Sequence, residues 1–216
     1  MREIPMREIS NDLVMKGTTT VGIVCRDGVV LASDTRVTMG YFVANHKGKK
    51  IYQIDEHLAM TIAGNVADAQ KAVDILKANA QLYRLNYGRL MPVSTAARVL
   101  ANLLFSARYA PLGLQAIVGG VDDTGPHVYQ IDLLGSVTEE KFVSTGSGSP
   151  IAYGILEDSY NEDGKIKELT PVVVKAVKAA MKRDIGSGDS FDVIIIDENG
   201  VKELSDKEKE SIDAGS

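Results

Sequence analysis

The sequence from Thr18 to Asp34 reads TTTVGIVCRDGVVLASD. Two runs rich in β-branched residues, Thr18–Cys25 and Val29–Asp34, lie on either side of Arg26-Asp27-Gly28. A three-residue loop that ends in glycine is a common connection between antiparallel strands. The sequence therefore predicts a β-hairpin at this point.

The hairpin also predicts which side chains come close together. If Cys25 faces Val29 across the loop, then Thr18 faces Arg36. Thr18 and Asp34 are then diagonal neighbours on one face of the sheet, roughly 7–8 Å apart at the backbone. We therefore expect a carboxylate near Thr18, although a strand-end residue that caps a turn is an equally simple explanation of Asp34.

The rest of the chain alternates between strand and helix patterns. Further strands are predicted at Lys49–Gln53, Leu58–Ala63, Leu114–Val121, Val128–Ile131, Phe142–Ser144, Phe191–Ile196 and Val201–Leu204. Helices are predicted from Asn65 to about Asn86, from Ser94 to about Tyr109, from Ser149-Pro150 to about Tyr160, and from Thr170-Pro171 to about Arg183. The order is strands, two helices, strands, two helices, strands. Two packed sheets with a helix pair outside each would cover every apolar face.

Composition bounds the class of protein. The chain has 216 residues, 44% of them hydrophobic, which is enough for the core of one domain. The formal net charge is -5, without a long basic run, so neither nucleic acid nor an anionic membrane is the expected partner. Cys25 is the only cysteine, which excludes an intramolecular disulfide and suits a reducing cytosol. The three histidines show no metal-ligand spacing, so no metal is expected.

The two ends of the chain differ in composition, since Met1 to Lys16 mixes charge with isolated apolar residues and the tail is polar and charged. Met1 to Lys16 lacks the apolar core of a targeting signal, and no stretch is long enough to span a bilayer. MREI occurs at Met1 and again at Met6, which leaves the true start open. The tail, Ser205–Ser216, is predicted to be solvated.

A glycine stands directly before the threonine run. Threonines favour strands and glycines favour turns, so Gly17 and Thr18 have a purely structural explanation. The alternative is chemical, because a glycine backbone accepts strained conformations and the Thr18 hydroxyl could then break the Gly17–Thr18 bond. The chain would begin at Thr18, whose α-amine has a reference pKa of roughly 7.7–8.0 and could act as general base for the hydroxyl.

Two lysines begin the strand in GKKIYQI, at Gly48–Ile54. Strand alternation sends Lys49 and Lys50 to opposite faces, and the residues alone do not say which points inward. An inward lysine would pair with Asp34 and remain charged, which favours a neutral amine and an ionised hydroxyl at Thr18. Two solvated lysines are the alternative.

Three glycine-containing segments complete the set of candidates. Gly64 ends the apolar strand TIAG just before a helix, so its N–H is either an oxyanion donor or part of a plain turn. Ser144–Pro150 (STGSGSP) matches neither a P-loop nor a dinucleotide fingerprint, and its hydroxyls either join a network around a nucleophile or lie in an ordinary loop. Arg183–Asp189 (RDIGSGD) is a similar loop, in which Gly186 or Gly188 could end a helix.

Together these segments resemble the β subunits of proteasomes, especially the archaeal type. The matching motifs are KGTTTVGIV at Lys16–Val24, LASDTRVTMG at Leu31–Gly40, GKKIYQI at Gly48–Ile54, TIAG at Thr61–Gly64, STGSGSP at Ser144–Pro150 and RDIGSGD at Arg183–Asp189. The resemblance extends over nearly the whole chain from Thr18, and six ordered motifs are specific where each alone is weak. It implies an α+β fold, the four-layer αββα sandwich of N-terminal-nucleophile hydrolases.

The resemblance also implies roles for individual residues. Thr18 is the implied nucleophile, exposed by autolysis after Gly17, so that residues 1–17 form a propeptide and residues 18–216 a single catalytic domain. Asp34 and Lys50 are the implied buried acid–lysine pair, and the Gly64 N–H is the implied oxyanion donor.

Two further groups of residues follow from the resemblance. Ser147, Asp184 and Ser187 are the implied network that holds Thr18 and its amine. Val37, Ile62 and Val66 would face the substrate side chain, and because all three are apolar we expect cleavage after hydrophobic residues. No cofactor is implied.

The implied function is that of a threonine endopeptidase that degrades unfolded polypeptides in the cytoplasm. Assembly would give stacked seven-membered rings, with β rings inside and α rings outside, served indirectly by a regulatory ATPase unfoldase. Two alternatives stay open: a non-catalytic ring subunit, and an N-terminal-nucleophile amidase that acts on small molecules.

Overall fold

The computed structural model describes residues 17–40 and 42–214, so the proposed propeptide, apart from Gly17, lies outside the described residues. The strands are β1 (Thr20–Cys25), β2 (Gly28–Asp34), β3 (Val37–Met39), β4 (Phe42–Asn45), β5 (Ile51–Asp55), β6 (Leu58–Gly64), β7 (Leu114–Asp122), β8 (Gly125–Ile131), β9 (Val137–Glu139), β10 (Phe142–Thr145), β11 (Phe191–Asp197) and β12 (Gly200–Glu203). The helices are α1 (Val66–Tyr87), α2 (Val93–Ser106), α3 (Ser149–Ser159), α4 (Ile166–Met181) and α5 (Asp206–Ala214).

Two antiparallel five-stranded sheets form the centre of the molecule. The first has the order β10-β1-β2-β11-β12 and the second the order β5-β6-β7-β8-β9. The apolar side chains between the sheets include Leu31, Ile117 and Ile194, all almost completely buried. A sheet buried on both faces needs a second apolar layer outside it, and each helix pair supplies one.

The outer layers are formed by the two helix pairs. Helices α1 and α2 cover the second sheet through a cluster that includes Leu76 and Leu100. Helices α3 and α4 cover the first sheet through a cluster that includes Leu156 and Val177. The layer order is helix, sheet, sheet, helix, so the predicted αββα sandwich is confirmed.

The first hairpin forms as predicted, but its register was wrong by one residue. Cys25 pairs with Gly28 instead of Val29, so that Arg26 and Asp27 alone form the turn. A Cβ on Gly28 would lie 2.2 Å from the Ile196 carbonyl oxygen, because Gly28 already belongs to the strand that pairs with β11. In consequence the Asp34 N–H donates to the Thr19 carbonyl oxygen (3.1 Å), and the predicted placement of Thr18 opposite Arg36 is wrong.

Capping interactions explain where α1 begins and ends and where α2 begins. The Asn65 side chain accepts a hydrogen bond from the Ala67 N–H, and Gly88 ends α1 in a left-handed conformation. At the start of α2, the carboxylate of Asp122 accepts a hydrogen bond from the Val93 N–H (2.9 Å).

The start of α4 differs from the prediction. Thr170-Pro171 lies inside the helix, which begins at Ile166. The Glu168 carboxylate accepts from the Lys165 N–H (2.9 Å) and thereby caps the helix one turn earlier than the proline. Helix α3 is close to the prediction: it begins at Ser149, with Gly148 in the capping position that the sequence assigned to Ser149.

Several elements escaped the sequence analysis. The short strands β3, β4 and β9 were not predicted, and the tail contains helix α5 where we expected only solvated chain. None of the five described helices combines the length and the hydropathy that a membrane span requires.

Candidate functional site

Thr18 lies just before β1 and lines a cleft of about 510 Å³. The residue is 4% exposed. The Thr18 hydroxyl donates to the Gly17 carbonyl oxygen at 2.6 Å, and the Thr18 N–H donates to the Ser147 hydroxyl at 3.2 Å. The hydroxyl is therefore in contact with the peptide group that it would have to attack.

Gly17 is held by a close approach of two backbones. A Cβ on Gly17 would lie 1.9 Å from the Gly186 Cα, and a Cβ on Gly186 would lie 2.1 Å from the Gly17 Cα. The Gly17 N–H also donates to the Thr38 hydroxyl (3.1 Å). Glycine is required here because any side chain would collide with the 184–188 loop.

Asp34 is a buried carboxylate surrounded by donors. Its Oδ1 accepts from the Lys50 ammonium (2.7 Å) and from the Thr19 N–H (2.9 Å). Its Oδ2 accepts from the backbone N–H groups of Gly188 (3.0 Å) and Arg36 (3.1 Å). Four donors and full burial leave no acceptor for a carboxyl proton, so the geometry favours the ionised form.

Burial and pairing act in opposite directions on this ion pair. Burial raises the pKa of Asp34, and the Lys50 charge and the donated hydrogen bonds oppose that rise. Burial likewise lowers the pKa of Lys50, and Asp34 opposes that fall. Each charge is therefore maintained chiefly by the other, and neither would be stable alone at this depth.

The structure distinguishes the two lysines that the strand pattern left open. The Lys50 side chain is 8% exposed and pairs with Asp34, whereas the Lys49 side chain is 56% exposed and lies 3.5 Å from Glu203. Lys50 is thus the inward lysine.

The two loops rich in glycine and serine meet at the threonine run. The Asp184 carboxylate accepts from the hydroxyls of Ser147 and Ser187, each at 2.6 Å. The Ser187 hydroxyl is also 2.7 Å from the Thr19 hydroxyl, and the Ser147 hydroxyl accepts from the Thr18 N–H. A single carboxylate therefore orients both serines around the start of β1.

Close packing fixes the Ser144–Pro150 loop against Thr18. Gly146 has a φ of 92°, and a Cβ there would lie 2.1 Å from the Thr18 carbonyl oxygen. The Gly148 N–H donates to the same oxygen at 3.3 Å. The Thr18 backbone is thus held on its carbonyl side as well as at its nitrogen.

The cleft beside Thr18 contains the residues predicted to contact substrate. Val37, Ile62 and Val66 all line it, and so does Gly64. Gly64 has a φ of 135°, and a Cβ there would collide with the Gly113 carbonyl oxygen. The cleft also contains cationic side chains from Arg36, Lys47, Lys49 and Lys50.

One ion pair near the site was missed by the sequence analysis. The Arg36 guanidinium donates to both carboxylate oxygens of Asp189 (3.0 and 3.2 Å) and to the Ile185 carbonyl oxygen (3.0 Å). Hydrogen bonds from Arg36 and His46 lower the pKa of Asp189 to about 2, so the pair is ionised at neutral pH. These residues lie in separate motifs far apart in the chain, and no sequence spacing indicates that they meet.

Comparison with known proteins decides the family. A family model described as "Proteasome subunit" matches residues 14–196. The chain belongs to the proteasome subunit family. The match includes every candidate residue of the site, from Gly17 to Ser187, while α5 lies beyond it.

Relatives within the proteasome family support this assignment along nearly the whole chain. A protein named proteasome subunit beta from Methanosarcina barkeri is 46% identical over 95% of this chain and 98% of its own length. Proteins of the same name from Ferroglobus placidus (47% identical; 94% of this chain and 97% of their own) and Methanococcus aeolicus (48%; 92% of each) are similarly close.

Proposed function

We propose that this member of the proteasome family is the catalytic β subunit of a core particle, a threonine endopeptidase whose nucleophile is Thr18. The observation that carries the proposal is the 2.6 Å hydrogen bond from the Thr18 hydroxyl to the Gly17 carbonyl oxygen. This contact supports an attack of the hydroxyl on the Gly17–Thr18 peptide group, and both residues line the same cleft as Lys50.

Maturation begins at this peptide group. The Thr18 oxygen attacks the Gly17 carbonyl carbon, the hydroxyl proton passes to the Thr18 nitrogen, the C–N bond breaks, and the acyl group remains on the oxygen as an ester. Water then hydrolyses the ester, which releases residues 1–17 with a terminal carboxylate and restores the hydroxyl. The product has a free α-amine at Thr18, with a reference pKa of roughly 7.7–8.0.

Peptide hydrolysis repeats the same chemistry with a substrate carbonyl. The neutral amine takes the hydroxyl proton, the oxygen attacks the substrate carbonyl carbon, and the proton passes to the leaving amine. Water then cleaves the acyl-enzyme ester. Gly64, at the strand end just before α1, is the proposed donor to the developing oxyanion.

The surrounding residues keep Thr18 reactive. The Lys50 cation, maintained by Asp34, disfavours a protonated amine and favours a negative charge on the oxygen. Ser147 accepts a hydrogen bond from the Thr18 N–H, Ser187 contacts the Thr19 hydroxyl, and Asp184 orients both serines. In this proposal Lys50 and Asp34 act through their charges. Ser147, Asp184 and Ser187 orient Thr18.

The cleft and the surface favour particular substrates and partners. Val37, Ile62 and Val66 give the cleft an apolar wall, which favours cleavage after hydrophobic residues in unfolded polypeptides. Exposed apolar side chains such as Leu85, Phe105 and Tyr109 favour burial against other subunits, β subunits in a seven-membered ring and α subunits beside it. The proposed site of action is the cytoplasm.

The test uses the full chain co-expressed with an archaeal proteasome α subunit. We expect the wild-type β chain to have the mass of a chain that begins at Thr18 and to be labelled by a threonine-directed covalent inhibitor. Thr18→Ala should keep residues 1–17, resist labelling and lose peptidase activity. Thr124→Ala, at an exposed threonine in the β7–β8 turn, is the matched control and should behave as wild type.

Three results would contradict the proposal. A wild-type chain that retains Gly17 and is inert indicates a non-catalytic ring subunit. Full activity of assembled Thr18→Ala particles would show that another group is the nucleophile. Turnover of small amides without cleavage of peptides indicates an amidase.

A further inference from the structure

Helix α5 packs beside the strand that follows the 184–188 loop. The Ser205 N–H and hydroxyl both donate to the Glu208 carboxylate (2.8 and 2.7 Å), which caps the start of the helix. Ile212 packs against the apolar cluster beneath α3 and α4. The helix is therefore fixed at its capped start and along its apolar side, and none of it is used by the mechanism above.

Lys209, on α5, makes polar contacts with this strand. Its ammonium donates to the Phe191 carbonyl oxygen at 3.1 Å and lies 3.5 Å from the Asp192 carboxylate. The carboxylate of Asp206, one turn earlier in the helix, lies 2.8 Å from the Lys209 ammonium. The Lys209 side chain is 12% exposed and that of Asp192 is 26% exposed, so their contact is partly shielded from water, whereas the Asp206 side chain is 89% exposed.

The strand that Lys209 contacts, β11, pairs with β2, the strand that carries Asp34. Phe191 is the residue of β11 that pairs with Asp34. The preceding residue, Ser190, exchanges backbone and side-chain hydrogen bonds with Thr35 (2.9 and 3.2 Å). Two residues earlier, the Gly188 N–H donates to the Asp34 Oδ2. A shift of Phe191 would therefore move a donor on which Asp34 depends.

We propose that Lys209 is a positioning residue for the Thr18 site, acting through Phe191, Gly188 and Asp34. This inference rests on the proposed function. Lys209 touches neither substrate nor Thr18, and its contribution is to keep the start of β11, and hence the Asp34–Lys50 pair, in register with the nucleophile.

The experiment compares three variants in full chains assembled with an α subunit. Lys209→Met removes the ammonium but keeps most of the stem, and Lys209→Arg restores a cation that can reach the same carbonyl. Lys207→Met, at an exposed lysine on the same helix, is the matched control. The readouts are kcat and KM for a fluorogenic peptide, the labelling rate at Thr18, and amide hydrogen exchange in residues 184–191.

For Lys209→Met we expect kcat and the labelling rate to fall roughly tenfold while KM stays within about twofold, because small misplacements of a nucleophile reduce reaction rate more than binding. Hydrogen exchange in residues 184–191 should accelerate. Lys209→Arg should recover most of the rate, and Lys207→Met should match wild type in every readout.

Two outcomes would overturn the inference. One is a Lys209→Met particle that loses thermal stability but keeps the wild-type kcat and labelling rate, because α5 would then be merely structural. The other is unchanged hydrogen exchange in residues 184–191. That exchange does not depend on activity, so an inert wild-type particle would refute the proposed function while exchange still tests the role of Lys209.

Discussion

Replacing Lys50 by methionine tests the buried ion pair that Lys50 forms with Asp34. The substitution removes the ammonium 2.7 Å from the Asp34 Oδ1 and leaves a fully buried carboxylate with its three backbone donors. Breaking a buried pair by removing one partner costs about 3–5 kcal/mol. Because three of the four donors remain, we expect a loss of about 3 kcal/mol in the free energy of unfolding at pH 8.

The pH dependence of this loss has a defined sign. Burial already raises the pKa of Asp34, and removing Lys50 removes the positive charge that opposes this rise most strongly, so the folded-state pKa rises further. A group whose folded-state pKa is raised favours folding at low pH, and that contribution is lost as the pH rises through the folded-state value. The Lys50→Met chain should therefore be less destabilised at pH 5 than at pH 8.

The measurement is denaturant unfolding of the isolated β chain, followed by circular dichroism at both pH values. Lys49→Met is the matched control, since Lys49 is mostly exposed and its pair with Glu203 is worth little. We expect the control to stay within about 0.5 kcal/mol of wild type. The reasoning is refuted if Lys50→Met is no less stable than Lys49→Met at pH 8, or if its deficit grows on acidification.

Two further predictions concern the buried Cys25 and two glycines, Gly146 and Gly154. Burial raises the pKa of Cys25 to about 12, from an ordinary 9.0, so its alkylation at pH 8 should be at least about a thousandfold slower in the folded chain than in guanidinium chloride, and equal rates would contradict this. Gly146→Ala should lose about 2 kcal/mol or more of stability together with Thr18 labelling, because the new Cβ meets the Thr18 carbonyl oxygen at a φ of 92°. Gly154→Ala, in the interior of α3 with open space around it, should instead gain about 0.5–1 kcal/mol, and a loss there as large as at Gly146 would count against the steric argument.

The layers of the fold could be predicted because each leaves a pattern in the sequence. In β2, Val29 and Leu31 face the other sheet while Val30 and Ala32 face the helices, so the strand appears as a continuous apolar run. Helix α1 shows its apolar spacing and its Asn65 cap directly. Both patterns depend only on residues close together in the sequence, and the folded structure retains the elements that they predict.

The hairpin register could not be fixed in the same way. The choice between a two-residue and a three-residue loop depends on whether Gly28 belongs to the turn or to the strand. That is decided by its contact with Ile196, which comes from the far end of the chain. A one-residue slip changes which face of the sheet each side chain occupies, and this is why the predicted neighbours of Asp34 were wrong.

Helix α5 shows a signal that was present but not used. Ser205 and Glu208 have the spacing of a capping box, and the structure confirms the contact between them. The polar composition of the tail suggested solvation and concealed this pattern. The positions of Asp184 and Ser187 beside Thr18, by contrast, are not indicated by any local pattern, and only the resemblance brought them together before the structure did.

The contact between Gly17 and Gly186 has a consequence for timing during synthesis. The peptide group before Thr18 packs against Gly186, which lies in a loop near the opposite end of the chain. A nascent chain that still lacks this loop contains Thr18 but not the contact that positions the peptide group in front of it. Under the proposed mechanism, self-cleavage therefore requires that the last strands have been synthesised and folded. An incompletely synthesised subunit would remain an inactive precursor.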